Sequence, residues 1–350
     1  MALLQRLHLR VLLLVAACAV VAAVGARLAL AHDAAPIGTG VAVIETDLGY
    51  SNAAAAGTGI VLTASGEVLT NNHVIDGATS IKVVFPDTGH SYTARVVGYD
   101  VADDVALLRL QGASNLRTLP LAGSATLAVG NAVTAVGNAG GTGRLTTVTG
   151  TITGLRRTIT AGDGQGSSER LTGMIEIDAG VQSGDSGGPL LDRSGRVVGM
   201  DTAASTGYGF QATAAADAYA IPIGKALLIV RQIEAGTASV RVHIGGTAFL
   251  GVELESVGAA GYEYGFGGDA STPASGALVA GIVSDGPAAA AGLETGDVIT
   301  AVDGRKVTSP GAITVLILAK KPGATVTVRY VDQTGTASTA KVRLGSGPPR

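Results

Sequence analysis

Three short stretches of the sequence hold side chains that together could perform acyl-transfer chemistry. His73 lies in the stretch TNNHVI, Asp104 in DDVALL and Ser186 in GDSGGPL. A serine hydroxyl is a weak nucleophile at neutral pH and needs an adjacent base, which a histidine can supply. A buried carboxylate then fixes the imidazole tautomer and stabilises its positive charge. These residue types predict a nucleophile, a base and an orienting acid.

The order histidine, aspartate, serine along the chain is that of chymotrypsin-like proteases. Asp103 is the alternative acid, and we favour Asp104 because it directly precedes an apolar stretch that reads as a strand. The oxyanion of a tetrahedral intermediate needs hydrogen-bond donors, and the backbone N–H groups of Gly184 and Ser186 could supply them from a glycine-rich turn. Each motif alone is more often a turn or a cap, so the signal is their combination in this order.

The elements that must position these residues are short strands. Residues 38–222 read as many short, often alternating strands separated by turn residues, which is typical of an all-β barrel or sandwich. A helix is predicted over residues 225–234. Residues 235–247 are rich in glycine and small residues and are interpreted as a soft linker. The protease-like chemistry is therefore predicted on a β domain followed by a separate unit.

That following unit mixes strands with two helices. A short helix is predicted over residues 287–291, and a longer one begins at Pro310 with Ser309 as its N-cap and ends at Lys321. A hairpin is predicted over residues 325–344. The glycine-rich stretch 256–275 shows no strong pattern and is interpreted as a loop.

Composition limits the classes of protein that remain. The 350 residues are 47% hydrophobic and 15% charged, which excludes global disorder, while aromatic residues make up 3%. One cysteine, Cys18, excludes an intramolecular disulfide framework and a cysteine-rich metal site. A net charge of −3 without a basic block argues against nucleic acid as a partner. The cores must therefore be packed with aliphatic side chains.

The first 31 residues have the parts of an export signal. Two arginines precede the uncharged apolar run 11–26, and residues 29–31 read ALA, a small-residue cleavage site. A cleaved signal peptide and an uncleaved membrane anchor through residues 11–30 both stay open. Either predicts an exported protein in the periplasm, the cell envelope or the exterior.

With these motifs in view, the chain resembles the HtrA (DegP-like) family of exported trypsin-like serine proteases with a C-terminal PDZ domain. The resemblance covers residues 38–344 and is carried by the three motifs above and by the stretches GTGIV (57–61), YAIP (219–222), FLGV (249–252), GPAA (286–289), AGL (291–293) and GDVI (296–299). It implies a mostly β fold, with a chymotrypsin-like double β-barrel over 36–234, a linker over 235–247 and an α+β PDZ domain over 248–345.

The resemblance also implies a function. We expect a serine endopeptidase that cleaves unfolded or misfolded exported polypeptides without a cofactor or metal. Gly180 and Val181 stand where trypsin-like enzymes line the substrate pocket and offer no carboxylate, which favours cleavage after small or medium aliphatic residues. The N–H groups of Leu250, Gly251 and Val252 would bind the C-terminus of a peptide, which adds as a strand beside the helix that begins at Pro310.

Further expectations follow from the same resemblance. Residues 155–171 and 203–218 are expected to be mobile activation loops. Most of the family has asparagine before the nucleophile where this chain has Asp185, and we hypothesise that backbone N–H groups in the loop hold its carboxylate. The family often trimerises through aromatic residues near the mature N-terminus, where this chain offers Tyr50, so a homo-oligomer stays open.

Two other functions fit the sequence. One is a PDZ-containing chaperone or peptide sensor with little proteolysis, and the intact set of three motifs speaks against it. The other is a membrane-anchored regulatory protease with one dedicated substrate. Digestion of casein separates the first alternative from the leading one, and N-terminal sequencing separates secretion from anchoring.

Overall fold

The chain forms two β-barrels followed by a smaller unit of strands and helices. The computed structural model describes residues 38–50, 53–122, 127–162, 168–202, 218–257 and 275–349. The predicted signal or anchor (1–31), most of the predicted loop 203–218 and most of the loop 256–275 lie outside these residues. No helix among the residues described is long and apolar enough to cross a membrane.

The first barrel is built from antiparallel strands with β-branched and aliphatic residues on the inward face. Its strands follow the order β5-β4-β1-β2-β3-β6, and β5 also pairs with β6, so the six strands form a closed ring. A one-turn helix, α1 (Asn72–Ile75), leaves β3. The bounds are β1 Val41–Leu48, β2 Ala53–Val61, β3 Glu67–Thr70, β4 Ser80–Phe85, β5 His90–Asp100 and β6 Val105–Leu110.

The second barrel is closed in the order β10-β11-β12-β9-β8-β7. A helix, α2 (Ile223–Glu234), follows it and packs against both barrels. A shared aliphatic cluster includes Leu107 of the first barrel, Met200 of the second and Ile229 of α2. The bounds are β7 Ala132–Gly137, β8 Thr146–Gly162, β9 Ser168–Ile177, β10 Pro189–Asp192, β11 Val197–Thr202 and β12 Ala218–Pro222. The predicted chymotrypsin-like double barrel is confirmed.

Two predicted irregular segments are ordered elements instead. Most of the predicted loop 155–171 belongs to the long hairpin of β8 and β9, where Thr158 pairs with Thr172 and Ile159 with Leu171. The β-branched residues of this stretch suit a pleated strand. The predicted linker 235–247 contains β13 (Val242–Ile244), which pairs antiparallel with the end of β5. The linker therefore extends the first barrel's sheet, because β5 presents an open edge there.

The C-terminal unit is a curved sheet closed by helices around an aliphatic core. The sheet order is β15-β16-β17-β19-β20, with β18 beside β17 and a separate pair β14–β21. Helix α3 begins at Pro287, and α4 begins at Pro310 after Ser309, as the sequence predicts. The bounds are β14 Thr247–Phe249, β15 Val252–Ser256, β16 Ala277–Ile282, α3 Pro287–Ala290, β17 Val298–Val302, β18 Arg305–Lys306, α4 Pro310–Leu318, β19 Thr325–Val331, β20 Ala337–Arg343 and β21 Gly345–Gly347.

This unit touches the first barrel at separate points. The Tyr99 hydroxyl lies 3.2 Å from Thr247 Oγ1. The ring of Tyr50 stacks on Phe249 with centroids 5.0 Å apart, so the aromatic residue noted near the N-terminus contacts its own chain. The N–H of Gly77, two residues after α1, donates to the carbonyl of Pro349 at 2.9 Å.

Candidate active site

The structure brings His73 and Asp104 into direct contact between the barrels. His73 lies on α1, and Asp104 ends the turn from β5 to β6. The His73 Nδ1 atom is 3.0 Å from Asp104 Oδ1 and 2.9 Å from Oδ2, and the His73 backbone N–H donates to Oδ1 at 3.0 Å. The imidazole is about half exposed, while Asp104 is buried. A carboxylate held on Nδ1 leaves Nε2 as the atom that can accept a proton.

Asp104 rather than Asp103 takes this position because of the backbone at the turn. Asp104 has φ +53°, a left-handed conformation that is uncommon for residues other than glycine. Its N–H donates to the Val101 carbonyl at 3.1 Å, and its own carbonyl accepts from Asn71 Nδ2 at 2.9 Å. Asn71 therefore joins the two motifs through the backbone of the acid.

A further contact comes from a residue that sequence reasoning missed. The Thr202 hydroxyl, at the end of β11, donates to Asp104 Oδ2 at 3.1 Å. This bond ties the second barrel to the carboxylate of the first. A threonine at the end of a strand carries no chemical signature, so the sequence contains no signal that could have found it.

Ser186 lies in the turn between β9 and β10, which packs against β2 of the other barrel. Its carbonyl accepts the Thr58 N–H at 2.8 Å, and the Thr58 hydroxyl donates to the Gly184 carbonyl at 2.7 Å. A Cβ on Gly187 would lie 2.1 Å from the Thr58 carbonyl and 2.3 Å from Thr70 Oγ1. Glycine is therefore required for the loop to approach the segment that leads to His73.

The two predicted oxyanion donors are backbone N–H groups. Each belongs to a peptide bond whose carbonyl oxygen already accepts a hydrogen bond. The Ser183 carbonyl accepts from the Gly140 N–H at 2.7 Å, and the Asp185 carbonyl accepts from the Gly188 N–H at 2.9 Å. In a trans peptide the N–H points opposite to the C=O, so the N–H groups of Gly184 and Ser186 point away from those partners. Gly184 has φ +94°, and a Cβ there would meet the Asn138 carbonyl at 2.2 Å.

Asp185 is held as hypothesised through one of its two oxygens. The Gln182 N–H donates to Oδ2 at 2.8 Å. Oδ1 is buried and has no hydrogen-bond partner within the described chain, and the same holds for both carboxylate oxygens of Asp201 on β11. Burial raises the pKa of Asp185, and burial together with the Asp185 charge raises the pKa of Asp201 well above its usual value.

The predicted pocket residues lie on the segment that leads into the nucleophile turn. Gly180 is exposed, with open space where a Cβ would stand, and Val181 packs against the core of the second barrel. The nearby Asp178 is turned away, because it accepts hydrogen bonds from the Thr151 backbone and hydroxyl, which lower the pKa of this carboxyl. The segment therefore leaves open space at Gly180 and keeps the Asp178 carboxylate bonded to Thr151.

Leu250 and Gly251 connect β14 to β15 in the C-terminal unit, and Val252 is the first residue of β15. The Leu250 carbonyl accepts from the Ala288 N–H and the Gly251 carbonyl from the Val283 N–H, both at 3.0 Å. Gly251 has φ +81°. β15 is the outer strand of its sheet, and α4 packs against both β15 and β14. The loop therefore stands at the end of a groove between a strand edge and a helix.

Comparison with known proteins gives the same domain order. Residues 57–200 match the trypsin-like peptidase domain and residues 248–344 match the PDZ domain. The chain is 33% identical over 326 residues to the serine protease PepD of Mycobacterium tuberculosis, covering 89% of this chain and 65% of that protein. It is 32% identical over 282 residues to the periplasmic serine endoprotease DegP of Escherichia coli, covering 78% of this chain and 54% of that protein.

A solved structure extends these matches. A variant of the HtrA-type protease AlgW with a tripeptide aligns with a TM-score of 0.50 and 28% identity, covering 90% of this chain and 96% of that one. The chain spans between about half and two thirds of the length of the curated relatives it matches. Two family domains in this order, together with these relatives, show that the chain belongs to the HtrA family, with a PDZ domain after its trypsin-like domain.

Proposed function

We propose that the chain is a serine endopeptidase that forms an acyl-enzyme through His73, Asp104 and Ser186. The observation that carries the proposal is the contact of the buried Asp104 carboxylate with His73 Nδ1, beside the turn that bears Ser186. Asp104 holds the proton on Nδ1, so Nε2 is the base that takes the Ser186 hydroxyl proton as the oxygen attacks a peptide carbonyl. The same imidazolium then protonates the leaving amine.

Two backbone donors would stabilise the charge that develops during attack. The N–H groups of Gly184 and Ser186 bind the oxyanion of the tetrahedral intermediate, and loss of one such donor typically costs a factor of about 10²–10³ in rate. Gly180 and Val181 accept a small or medium aliphatic side chain before the scissile bond. Because such side chains are buried in folded proteins, we infer that the substrates are unfolded or misfolded polypeptides.

The location of this activity is inferred from the relatives. Those named as periplasmic proteases support an exported, cell-envelope protein. Residues 11–30 would either be removed with a signal peptide or hold the chain at the membrane. N-terminal sequencing of the native protein distinguishes these two fates.

The decisive test is digestion of casein by the exported chain and by its Ser186→Ala variant. Loss of the nucleophile in such a triad lowers turnover by about 10⁶, so no digestion should be detectable. Ser183→Ala, in the same turn, serves as a matched control and should keep its activity. Equal digestion by the wild-type chain and Ser186→Ala would overturn the proposal.

We also propose that the PDZ domain binds peptide C-termini at Leu250, Gly251 and Val252 and thereby regulates cleavage. The groove between β15 and α4 supports this, because a peptide strand could pair with the outer edge of β15. A peptide that ends in a free carboxylate should bind and change the rate of cleavage. The same peptide with an amidated C-terminus should do neither, and equal binding of both would contradict the proposal.

A further inference from the structure

The turn that presents the catalytic acid depends on contacts outside the triad. Asp104 adopts a left-handed backbone conformation that is unfavourable for a residue other than glycine, so the surrounding structure must hold it there. Its own hydrogen bonds involve Val101, Asn71, His73 and Thr202. The residue before it, Asp103, is fixed by a different set of groups.

Two cations hold the Asp103 carboxylate. Lys225 Nζ lies 2.7 Å from Asp103 Oδ1, and Arg241 Nη2 donates to Oδ2. Arg241 Nε also lies 3.7 Å from Asp100 Oδ2, while the Asp103 N–H donates to Asp100 Oδ1 at 3.0 Å. We name this set of Asp100, Asp103, Lys225 and Arg241 the aspartate clamp. It holds the residues of the turn that precede Asp104.

Strand pairing fixes the position of Arg241 in the clamp. Arg241 directly precedes β13, whose first residue, Val242, pairs with Asp100. The side chains of Asp100 and Asp103 are 4% and 15% exposed, whereas that of Arg241 is 49% exposed. Removal of the cation would therefore leave two largely buried carboxylates less compensated, beside the residue that must orient His73.

We infer that Arg241, a residue of the domain linker, is a positioning residue for catalysis that acts through Asp103 on Asp104. The inference rests on the proposed triad. It also means that the linker contacts the turn of the catalytic acid, so the segment that joins the two domains contributes to the geometry of the active site. Lys225 holds the other oxygen of Asp103 from α2 and also donates to the Thr172 carbonyl at 2.8 Å.

The test measures kcat and KM separately on a short peptide substrate with valine before the scissile bond. Arg241→Gln should lower kcat by about tenfold and leave KM within twofold, because misplacing a catalytic group slows the chemistry rather than binding. Arg241→Lys keeps the charge and should recover part of kcat. Arg196→Gln is the control, since Arg196 is also 49% exposed and pairs with one carboxylate, Asp192.

A second variant shows whether the effect passes through Asp103. Asp103→Asn should lower kcat to a similar degree, and the double variant should lose no more than the poorer single one, as expected for residues of one unit. Thermal unfolding measured alongside should show all variants folded at the assay temperature. An Arg241→Gln enzyme with wild-type kcat, a loss that Arg196→Gln shares, or fully additive losses would overturn the inference.

Different results would refute the proposed function and the role of the aspartate clamp. Equal digestion by the wild-type chain and by Ser186→Ala would contradict the proposed function. If Ser186→Ala abolishes activity while Arg241→Gln retains it in full, the triad stands and the clamp is refuted.

Discussion

Asp104 and Asp201 are both buried aspartates near the contact between the two barrels, and their surroundings are opposite. Asp104 accepts hydrogen bonds from the His73 backbone and the Thr202 hydroxyl and contacts the imidazole. Asp201, the neighbour of Thr202 in the chain, has no hydrogen-bond partner for either oxygen within the described residues. Burial alone therefore does not determine whether a carboxylate has hydrogen-bond partners here. Asp104 is surrounded by donors for a negative charge, whereas Asp201 is in surroundings that favour the neutral acid.

The largest expected effect is on kcat and comes from altering Asp104, the carboxylate that accepts hydrogen bonds. Asp104→Asn keeps the shape of the side chain but removes the charge that holds the proton on His73 Nδ1, so the imidazole adopts the wrong tautomer. We expect kcat to fall by about 10⁴. Steady-state kinetics on a peptide substrate measure this, and a fall of less than tenfold would mean that Asp104 does not orient the base.

The second expected effect is on how the free energy of unfolding changes with pH. Because burial raises the pKa of Asp201 in the folded protein well above its ordinary value of 3.8, the folded state binds more protons than the unfolded state above about pH 4. Stability therefore falls as the pH rises from there to the folded pKa, by up to about 1.4 kcal/mol per pH unit for this one group. Asp201→Asn should unfold at a higher denaturant concentration at pH 7 and show a flatter pH dependence.

Chemical denaturation between pH 4 and pH 8 measures this difference. Asp178→Asn is the control, because hydrogen bonds from Thr151 lower the pKa of that exposed carboxyl, so its titration lies below this range. An Asp201→Asn curve parallel to the wild-type curve would show that Asp201 is ionised in the folded protein.

A smaller effect is expected at Thr202, which follows Asp201 in the chain and donates a hydrogen bond to Asp104. Thr202→Val removes the hydroxyl that donates to Asp104 Oδ2. The Asp104 carboxylate then keeps its contacts with the His73 backbone N–H and with the imidazole. We expect kcat to fall by about fivefold, which corresponds to roughly 1 kcal/mol. Thr202→Ser keeps the donor and should retain wild-type kcat. Equal kinetics for the valine and serine variants would mean that the hydroxyl does not contribute.

The smallest effect is expected at Asp185. The asparagine oxygen of Asp185→Asn can still accept the Gln182 N–H, the hydrogen bond that holds this side chain in the turn. We expect activity within about threefold of the wild type, since that contact is kept. A loss above a hundredfold would show that the turn requires the charge of Asp185.

Residue patterns alone were sufficient to predict an all-β domain followed by a mixed unit, because glycine-rich turns and β-branched strands are local patterns. The double barrel and the PDZ domain were predicted from the resemblance to the HtrA family. The sequence also favoured Asp104 over Asp103, and the contact with His73 is made by Asp104. It could not identify Thr202, which is 98 residues from Asp104 in the chain, nor the strand β13, which contains three residues and forms because β5 offers an edge. The prediction of a loop over 155–171 was wrong because glycines and threonines around the turn obscured the alternating residues 158–160.

The contact between Gly77 and Pro349 has a consequence for how the PDZ domain can move. The domain is joined to the first barrel by β13 at its beginning and by this hydrogen bond at its end. The first attachment lies beside the turn of Asp104, and the second lies beside the helix that bears His73. Thr247, which contacts Tyr99, and Phe249, which stacks on Tyr50, lie between these two attachments in the chain, so the domain is held at several points. A wide swing of the domain must therefore break the bond between Gly77 and Pro349, two residues after the helix that bears His73.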